Sequence, residues 1–67
     1  MEELYRLSEN LKQLRKEFGY TQTYVAEKLG IKYQSYHAYE TGIAVPTLKH
    51  FIELAKLYEI SLDELIQ

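Results

Sequence analysis

The sequence predicts an all-α fold, a compact bundle of five short helices in one domain over residues 1–67. Apolar residues recur at spacings of three and four, the period of a helix, and no segment shows the sustained alternation of a strand. Glycine, proline and hydroxyl-bearing residues stand between the apolar stretches, where helices end and begin. The 46% content of hydrophobic residues can form a core without a disulfide, and the chain has no cysteine.

The first three helices are short and sharply punctuated. An apolar stripe in the first consists of Leu4, Leu7, Leu11, Leu14 and Phe18, and Gly19 is placed to end it with a positive φ. Thr21 can cap a second helix over about 22–29, in which Val25, Ala26 and Leu29 face inward and which Gly30 ends. A third helix is expected over about 33–40, closed by Thr41-Gly42.

Two further helices follow Pro46. Thr47 can cap the fourth, whose expected buried face consists of Leu48, Phe51, Ile52, Ala55 and Tyr58. Ser61 and Glu64 match the capping box of a last short helix that carries Leu62, Leu65 and Ile66.

The second and third helices have the features of a helix-turn-helix, in which two short helices joined by a three-residue turn cross at a steep angle. The close crossing needs a small residue, and Ala26 stands there. The turn needs a residue that tolerates positive φ, and Gly30 follows four positions later. Apolar residues bracket the turn, namely Val25, Leu29, Ile31, Tyr36 and Tyr39.

A set of motifs between about Leu11 and Leu65 extends this pattern. They are Leu11-x-x-Leu14-Arg15, Thr21-Gln22-x-x-Val25-Ala26-x-x-Leu29-Gly30-Ile31, Tyr39-Glu40-x-Gly42, Pro46 and Ser61-Leu62-Asp63-Glu64-Leu65. With them the chain resembles the phage-repressor-like (Cro/CI or XRE-type) helix-turn-helix proteins of bacteria and phages, which have the lambda-repressor-like fold. The resemblance implies a sequence-specific regulator of transcription, a repressor rather than an enzyme. It also implies that the third helix enters the major groove of double-stranded DNA, as part of a symmetric dimer on a palindromic operator.

The resemblance further implies roles for single residues. The positions that face base edges are Tyr33, Gln34, His37 and Ala38, and those that touch the DNA backbone are Gln22, Ser35, Thr41 and Gly42. Lys32 stands where relatives have a Ser or Thr cap, and its charge makes it a further phosphate-contact candidate. Arg15 and Glu40 match an ion pair that ties the first helix to the end of the third.

The sequence gives little support for metal binding, cofactor binding or catalysis. Tyr36, Tyr39 and Tyr58 fall at core spacing, whereas Tyr33 does not. Neither histidine has a cysteine or carboxylate at a metal-ligand spacing, so we expect no metal and no cofactor, and His50 lies on the polar face of the fourth helix. No Ser/His/Asp arrangement suggests catalysis or a small-molecule substrate.

A surplus of apolar residues bears on association. Ile43, Ala44, Val45, Leu62, Leu65 and Ile66 exceed what five short helices need for a core. They either pack internally or form a self-contact patch. We favour the patch, and with it a homodimer.

The charge of the chain limits the DNA-binding interpretation. Eight Lys and Arg oppose ten Asp and Glu, for a net charge of −2, although residues 1–39 carry +1 and residues 40–67 carry −3. A DNA-facing surface is therefore expected in the first two thirds of the chain. The alternative is a protein-interaction module, antitoxin- or immunity-like, on the same fold. No apolar run is long enough for a membrane span and the N-terminus is acidic, which favours a cytoplasmic protein.

Overall fold

Five helices follow one another in the computed structural model, which describes residues 1–67 and contains no strand. They are α1 (Glu2–Glu17), α2 (Gln22–Leu29), α3 (Tyr33–Thr41), α4 (Leu48–Tyr58) and α5 (Leu62–Leu65). The prediction of an all-α bundle of five helices is confirmed. The helix bounds agree with the expected ones to within a residue or two, because the signals that set them are local.

Side-chain caps begin three of the helices. The hydroxyl of Thr21 accepts from the backbone N–H of Tyr24, and that of Thr47 accepts from His50. The capping box between Ser61 and Glu64 is complete, with each side chain bonded to the other's backbone N–H. Each bond satisfies an N–H that has no partner inside its helix.

Residues in the left-handed backbone conformation end both helices of the helix-turn-helix. Gly30 ends α2 with φ 70°, and Gly42 ends α3 with φ 81°. A residue with a Cβ is disfavoured in this conformation, so glycine at these positions lets the chain turn within a few residues. α4 ends in the same way at Glu59, with φ 58°, although no glycine stands there to signal it.

The core lies where α1, α2, α3 and α4 meet. It consists of Leu7, Leu11, Val25, Ala26, Leu29, Tyr36, Tyr39, Leu54, Ala55, Tyr58 and Leu65. The expected inward positions of α2 are confirmed, and so is the burial of Tyr36, Tyr39 and Tyr58.

The expected buried face of α4 is partly wrong. Ala55 and Tyr58 are buried, but Leu48 and Ile52 are exposed and Leu54 is fully buried. α4 therefore packs in a rotated orientation, with Leu54 inward. The apolar residues of α4 are spread widely enough around the helix to allow either orientation, so only the neighbouring helices decide between them.

Candidate nucleic-acid interface

α3 presents one face to the core and the opposite face to solvent. Tyr36, Tyr39 and Glu40 are buried, whereas Tyr33, Gln34 and His37 are exposed. Residues that differ by three or four positions share a helix face, which accounts for both sets. Three of the four residues predicted to read bases thus lie together on the exposed face. Ala38, the fourth, is half-buried.

The orientation of α3 is held by an ion pair to α1. Arg15 donates from Nε to Oε2 of Glu40 at 2.6 Å and from Nη2 to Oε1 at 3.2 Å. The Glu40 side chain is only 1% exposed and that of Arg15 is 15% exposed. Arg15 also donates from Nη1 to the carbonyl of Tyr20, in the segment that precedes α2. One guanidinium therefore links α1 to α3 and to the start of the helix-turn-helix.

Glu40 accepts two further hydrogen bonds, from the Tyr36 hydroxyl at 2.5 Å and from Nε2 of Gln22 at 2.9 Å. Burial alone raises the pKa of the Glu40 carboxyl, but the donors Arg15, Tyr36 and Gln22 outweigh it, and the net pKa is lowered. The hydrogen bond to Glu40 raises the pKa of Arg15. Both groups are therefore charged at neutral pH, and the buried carboxylate is fully paired.

Gln22 connects this buried pair to the exposed face of α3. While its Nε2 donates to Glu40, its Oε1 lies 3.3 Å from Nδ1 of His37. The ring of His37 stacks on that of Tyr33, one turn earlier, with centroids 5.7 Å apart and planes 22° apart. The predicted phosphate contact and two of the predicted base readers thus form one connected group.

The other residues that are predicted to contact the DNA backbone lie at the two ends of α3 and on its exposed side. Lys32 is exposed at the N-cap of α3 without a side-chain capping bond, and Ser35 is exposed one turn further on. Thr41 and Gly42 are exposed at the end of α3, where the Thr41 hydroxyl donates to the carbonyl of Ala38. At the start of α2, the first backbone N–H groups have no partner within the helix, and such groups favour an anion.

The positive charge near α3 is small. Arg6 pairs with Glu2 and Lys12 pairs with Glu9, both in exposed positions on α1. Five lysines have no carboxylate within ion-pair distance, and they are Lys16, Lys28, Lys32, Lys49 and Lys56. Lys32 alone belongs to the α3 boundary.

The expected self-contact patch needs correction at Leu65. This side chain is fully buried in the core, because α5 folds back and the Asn10 amide donates to the Leu65 and Gln67 carbonyls. Ala44 and Ile66 are half-buried and pack against the core, whereas Ile43, Val45 and Leu62 are exposed.

The structure extends the patch in another direction. Val45 and Leu48 are 56% and 70% exposed, and they line an apolar groove with Leu4 and Ile66. We call this the α1–α4 groove. It keeps Val45 and Ile66 of the predicted set and adds Leu4, from the apolar stripe of α1, and Leu48, which was expected on the buried face of α4.

Several polar contacts were not predicted from the sequence, and two of them involve the histidines. The Tyr39 hydroxyl lies 2.9 Å from Nδ1 of His50 and links α3 to α4, so His50 is more than a residue of the polar face. The contact of Gln22 with His37 was also not foreseen. No sequence signal identifies such pairs, because their partners are 11 and 15 residues apart and meet only in the folded chain.

No group of three or more His, Cys, Asp or Glu side chains is arranged to hold a metal ion. None of the five helices combines the length and the apolar character that a membrane crossing requires.

Comparison with known proteins identifies similar chains. The family model described as helix-turn-helix matches residues 11–65. The chain is 38% identical to the cryptic phage CTXphi transcriptional repressor RstR of Vibrio cholerae over an alignment of 60 residues, and this alignment covers 90% of this chain and 54% of that protein. It is 43% identical to the uncharacterized HTH-type transcriptional regulator YqaE of Bacillus subtilis over 60 residues, and this alignment covers 90% of this chain and 52% of that protein.

A solved structure is similar as well. The crystal structure of a transcriptional regulator from Listeria innocua matches with a TM-score of 0.86 and 33% identity, over 90% of this chain and 56% of that one. The chain thus spans about half the length of each of these three proteins.

Proposed function

Since this chain belongs to the helix-turn-helix family, we propose that it binds double-stranded DNA with the exposed face of α3 and regulates transcription as a repressor. The observation that carries the proposal is the set of polar and aromatic side chains on a helix whose opposite face is fixed by the buried Arg15–Glu40 pair. The names of the similar proteins, a phage repressor among them, support the same function. Its place of action would be the cytoplasm, and it needs no cofactor.

Within this function, α3 lies in the major groove, and Tyr33, Gln34 and His37 reach base edges. The amide of Gln34 can bond N6 and N7 of adenine together. Gln22 retains one amide N–H beyond the bond to Glu40, and this hydrogen can meet a phosphate oxygen next to the N-terminus of α2. Lys32 and Ser35, on the α3 side of the turn between α2 and α3, can contact the phosphate backbone of the DNA.

The small positive charge makes a single copy a weak DNA binder, since phosphate contacts supply much of the affinity of such proteins. A symmetric dimer would double the contacts and would read a palindromic operator, with half-sites about 34 Å apart. We assign its interface to the α1–α4 groove together with two exposed residues of the predicted patch, Ile43 and Leu62. The apolar exposure of Ile43 and Leu48, 83% and 70%, favours this surface.

A second function is favoured by the same exposed apolar surface and by the net charge of −2. On this alternative the domain is an interaction module, antitoxin- or immunity-like, that binds another protein and has little affinity for DNA. The two functions differ in whether duplex DNA binds at low salt.

The test is a fluorescence-anisotropy titration, first with random duplex at low salt and then with the preferred sequence selected from a random pool. Gln34→Ala should flatten the preference at one or two base positions and weaken binding to the preferred sequence by about 1–3 kcal/mol. Gln13→Ala is the matched control, because Gln13 is an exposed glutamine on α1 that bonds only to Glu17. If Gln34→Ala kept the wild-type base preference, this orientation of α3 would be wrong. If no duplex bound, the interaction module would replace the proposed function.

A further inference from the structure

We propose that Gln22 is a positioning residue that determines which bases His37 accepts: it holds the neutral imidazole as the Nδ1–H tautomer and leaves Nε2 as a hydrogen-bond acceptor toward the DNA. The first half of the proposal concerns the folded protein alone. The second half, the reading of a base, rests on the proposed function.

The buried carboxylate of Glu40 sets the orientation of the Gln22 amide. An ionised Glu40 can only accept hydrogen bonds, so the atom of Gln22 that faces Oε1 of Glu40 at 2.9 Å must be the amide nitrogen. The ion pair with Arg15, whose side chain is largely buried with it, keeps Glu40 ionised. The orientation of the Gln22 amide is therefore determined by the core of the protein.

The orientation of the amide determines the proton position on His37. With Nε2 turned to Glu40, the oxygen of Gln22 is the atom that lies 3.3 Å from Nδ1 of His37. A carbonyl oxygen accepts and never donates, so Nδ1 must carry the hydrogen. In a neutral imidazole the other nitrogen, Nε2, is then an acceptor. Stacking on Tyr33 holds the ring in this plane.

An acceptor at Nε2 discriminates between bases in the major groove. The amino groups at N4 of cytosine and N6 of adenine are donors there, whereas O6 and N7 of guanine and O4 of thymine are acceptors. His37 should therefore favour cytosine or adenine at the position it faces and reject guanine and thymine. The opposite tautomer, with a hydrogen on Nε2, would instead bond the acceptors of guanine and thymine or N7 of adenine, and it would reject cytosine.

The first experiment is a two-bond ¹H–¹⁵N NMR spectrum of the ¹⁵N-labelled protein without DNA, recorded in mildly alkaline buffer. We expect the Nδ1–H pattern for His37 in the wild-type protein and a shift toward the Nε2–H pattern in Gln22→Ala. His50 is the only other histidine and contacts Tyr39 instead, so its signals serve as the internal control and report that the variant is folded. An Nε2–H pattern for His37 in the wild-type protein would overturn the proposal, whatever the variant does. So would an unchanged pattern in the folded variant.

The second experiment measures base preference. Titrations against the selected duplex and its single-base variants first identify the position whose preference is lost in His37→Ala. At that position the wild-type protein should favour cytosine or adenine by about 5- to 150-fold, and Gln22→Ala should lose most of this discrimination. Gln34→Ala, the matched control, should retain it and lose discrimination elsewhere.

The outcomes separate the two halves of the proposal. A wild-type preference for guanine, or full discrimination in Gln22→Ala, would overturn the reading of bases through Gln22. If no duplex bound, that half would fail together with the proposed function, while the NMR spectrum would still decide whether Gln22 sets the tautomer.

Discussion

Replacing Arg15 with alanine should remove a large part of the stability of this small domain. The substitution leaves the Glu40 carboxylate, 1% exposed, with only Tyr36 and Gln22 as donors. Removing one partner of a buried ion pair costs about 3–5 kcal/mol, and we expect the lower end because two donors remain. A chain of this size holds only about 3–10 kcal/mol in total.

Urea and thermal unfolding, followed by far-ultraviolet circular dichroism at neutral pH, measure this loss. A cost of 3 kcal/mol should lower the Tm by roughly 12–24 °C in a domain of this size. Lys16→Ala is the control, because Lys16 is the next residue of α1, is exposed and has no ion-pair partner. Its free energy of unfolding should stay within about 0.5 kcal/mol of that of the wild-type protein.

The pH dependence gives a second, independent signature. In the wild-type protein the pKa of Glu40 is lowered below its ordinary 4.5, so its contribution is present above that pH and is lost as the pH falls through the folded-state value. Burial is the largest single cause acting on the pKa of Glu40, and Arg15 opposes it both by hydrogen bonding and by its charge. Without Arg15 we therefore expect burial to prevail and the pKa of Glu40 to rise. The carboxyl then destabilises the variant at neutral pH and ceases to do so once it is protonated, so the deficit of Arg15→Ala should shrink as the pH falls. A variant within about 0.5 kcal/mol of the wild-type protein at neutral pH, or a deficit that does not change with pH, would refute this account of the pair.

Three further predictions concern the charge, the groove and a buried phenol. The binding constant of the wild-type protein for DNA should fall as the salt concentration rises, and Lys32→Ala should make the plot of log K against log salt concentration less steep by about one while leaving base preference unchanged. An unchanged steepness in binding titrations would mean that Lys32 contacts no phosphate. Val45→Asp should place a charge in the α1–α4 groove, weaken self-association and operator binding, and preserve the helical content because the side chain is exposed; a dimer that persisted in sedimentation at micromolar concentration would exclude this interface. Burial raises the pKa of Tyr58 to about 12 from 10.0, so the stability contributed by the neutral phenol is present below pH 10 and is lost as the pH rises through the folded-state value. Tyr58→Phe should therefore lose about 1 kcal/mol less than the wild-type protein on going to pH 11 in urea titrations, and equal losses would contradict the raised pKa.

The helices, most of their ends and the helix-turn-helix could be predicted from the sequence. Thr21 and the Ser61–Glu64 box begin helices through contacts within three residues, and Gly30 ends α2 through its own backbone conformation. Such signals act over one helical turn and are therefore legible in the order of residues. The family pattern also suggested Arg15 and Glu40 as partners, and Nε of Arg15 lies 2.6 Å from Oε2 of Glu40.

Which residues of α4 and α5 face inward, and how the polar groups connect, depends on tertiary packing. Leu48 and Leu54 are both leucines of α4, yet Leu54 is fully buried and Leu48 lines an open groove. Leu65 is likewise inside the core rather than on a contact surface. The link from Glu40 through Gln22 to His37 joins the start of α2 to two residues of α3 that lie 18 and 15 positions further along the chain. The physical reason is the same in each case: helix period fixes only which residues share a face, whereas the rotation of each helix and the direction of each amide depend on neighbours brought close by packing.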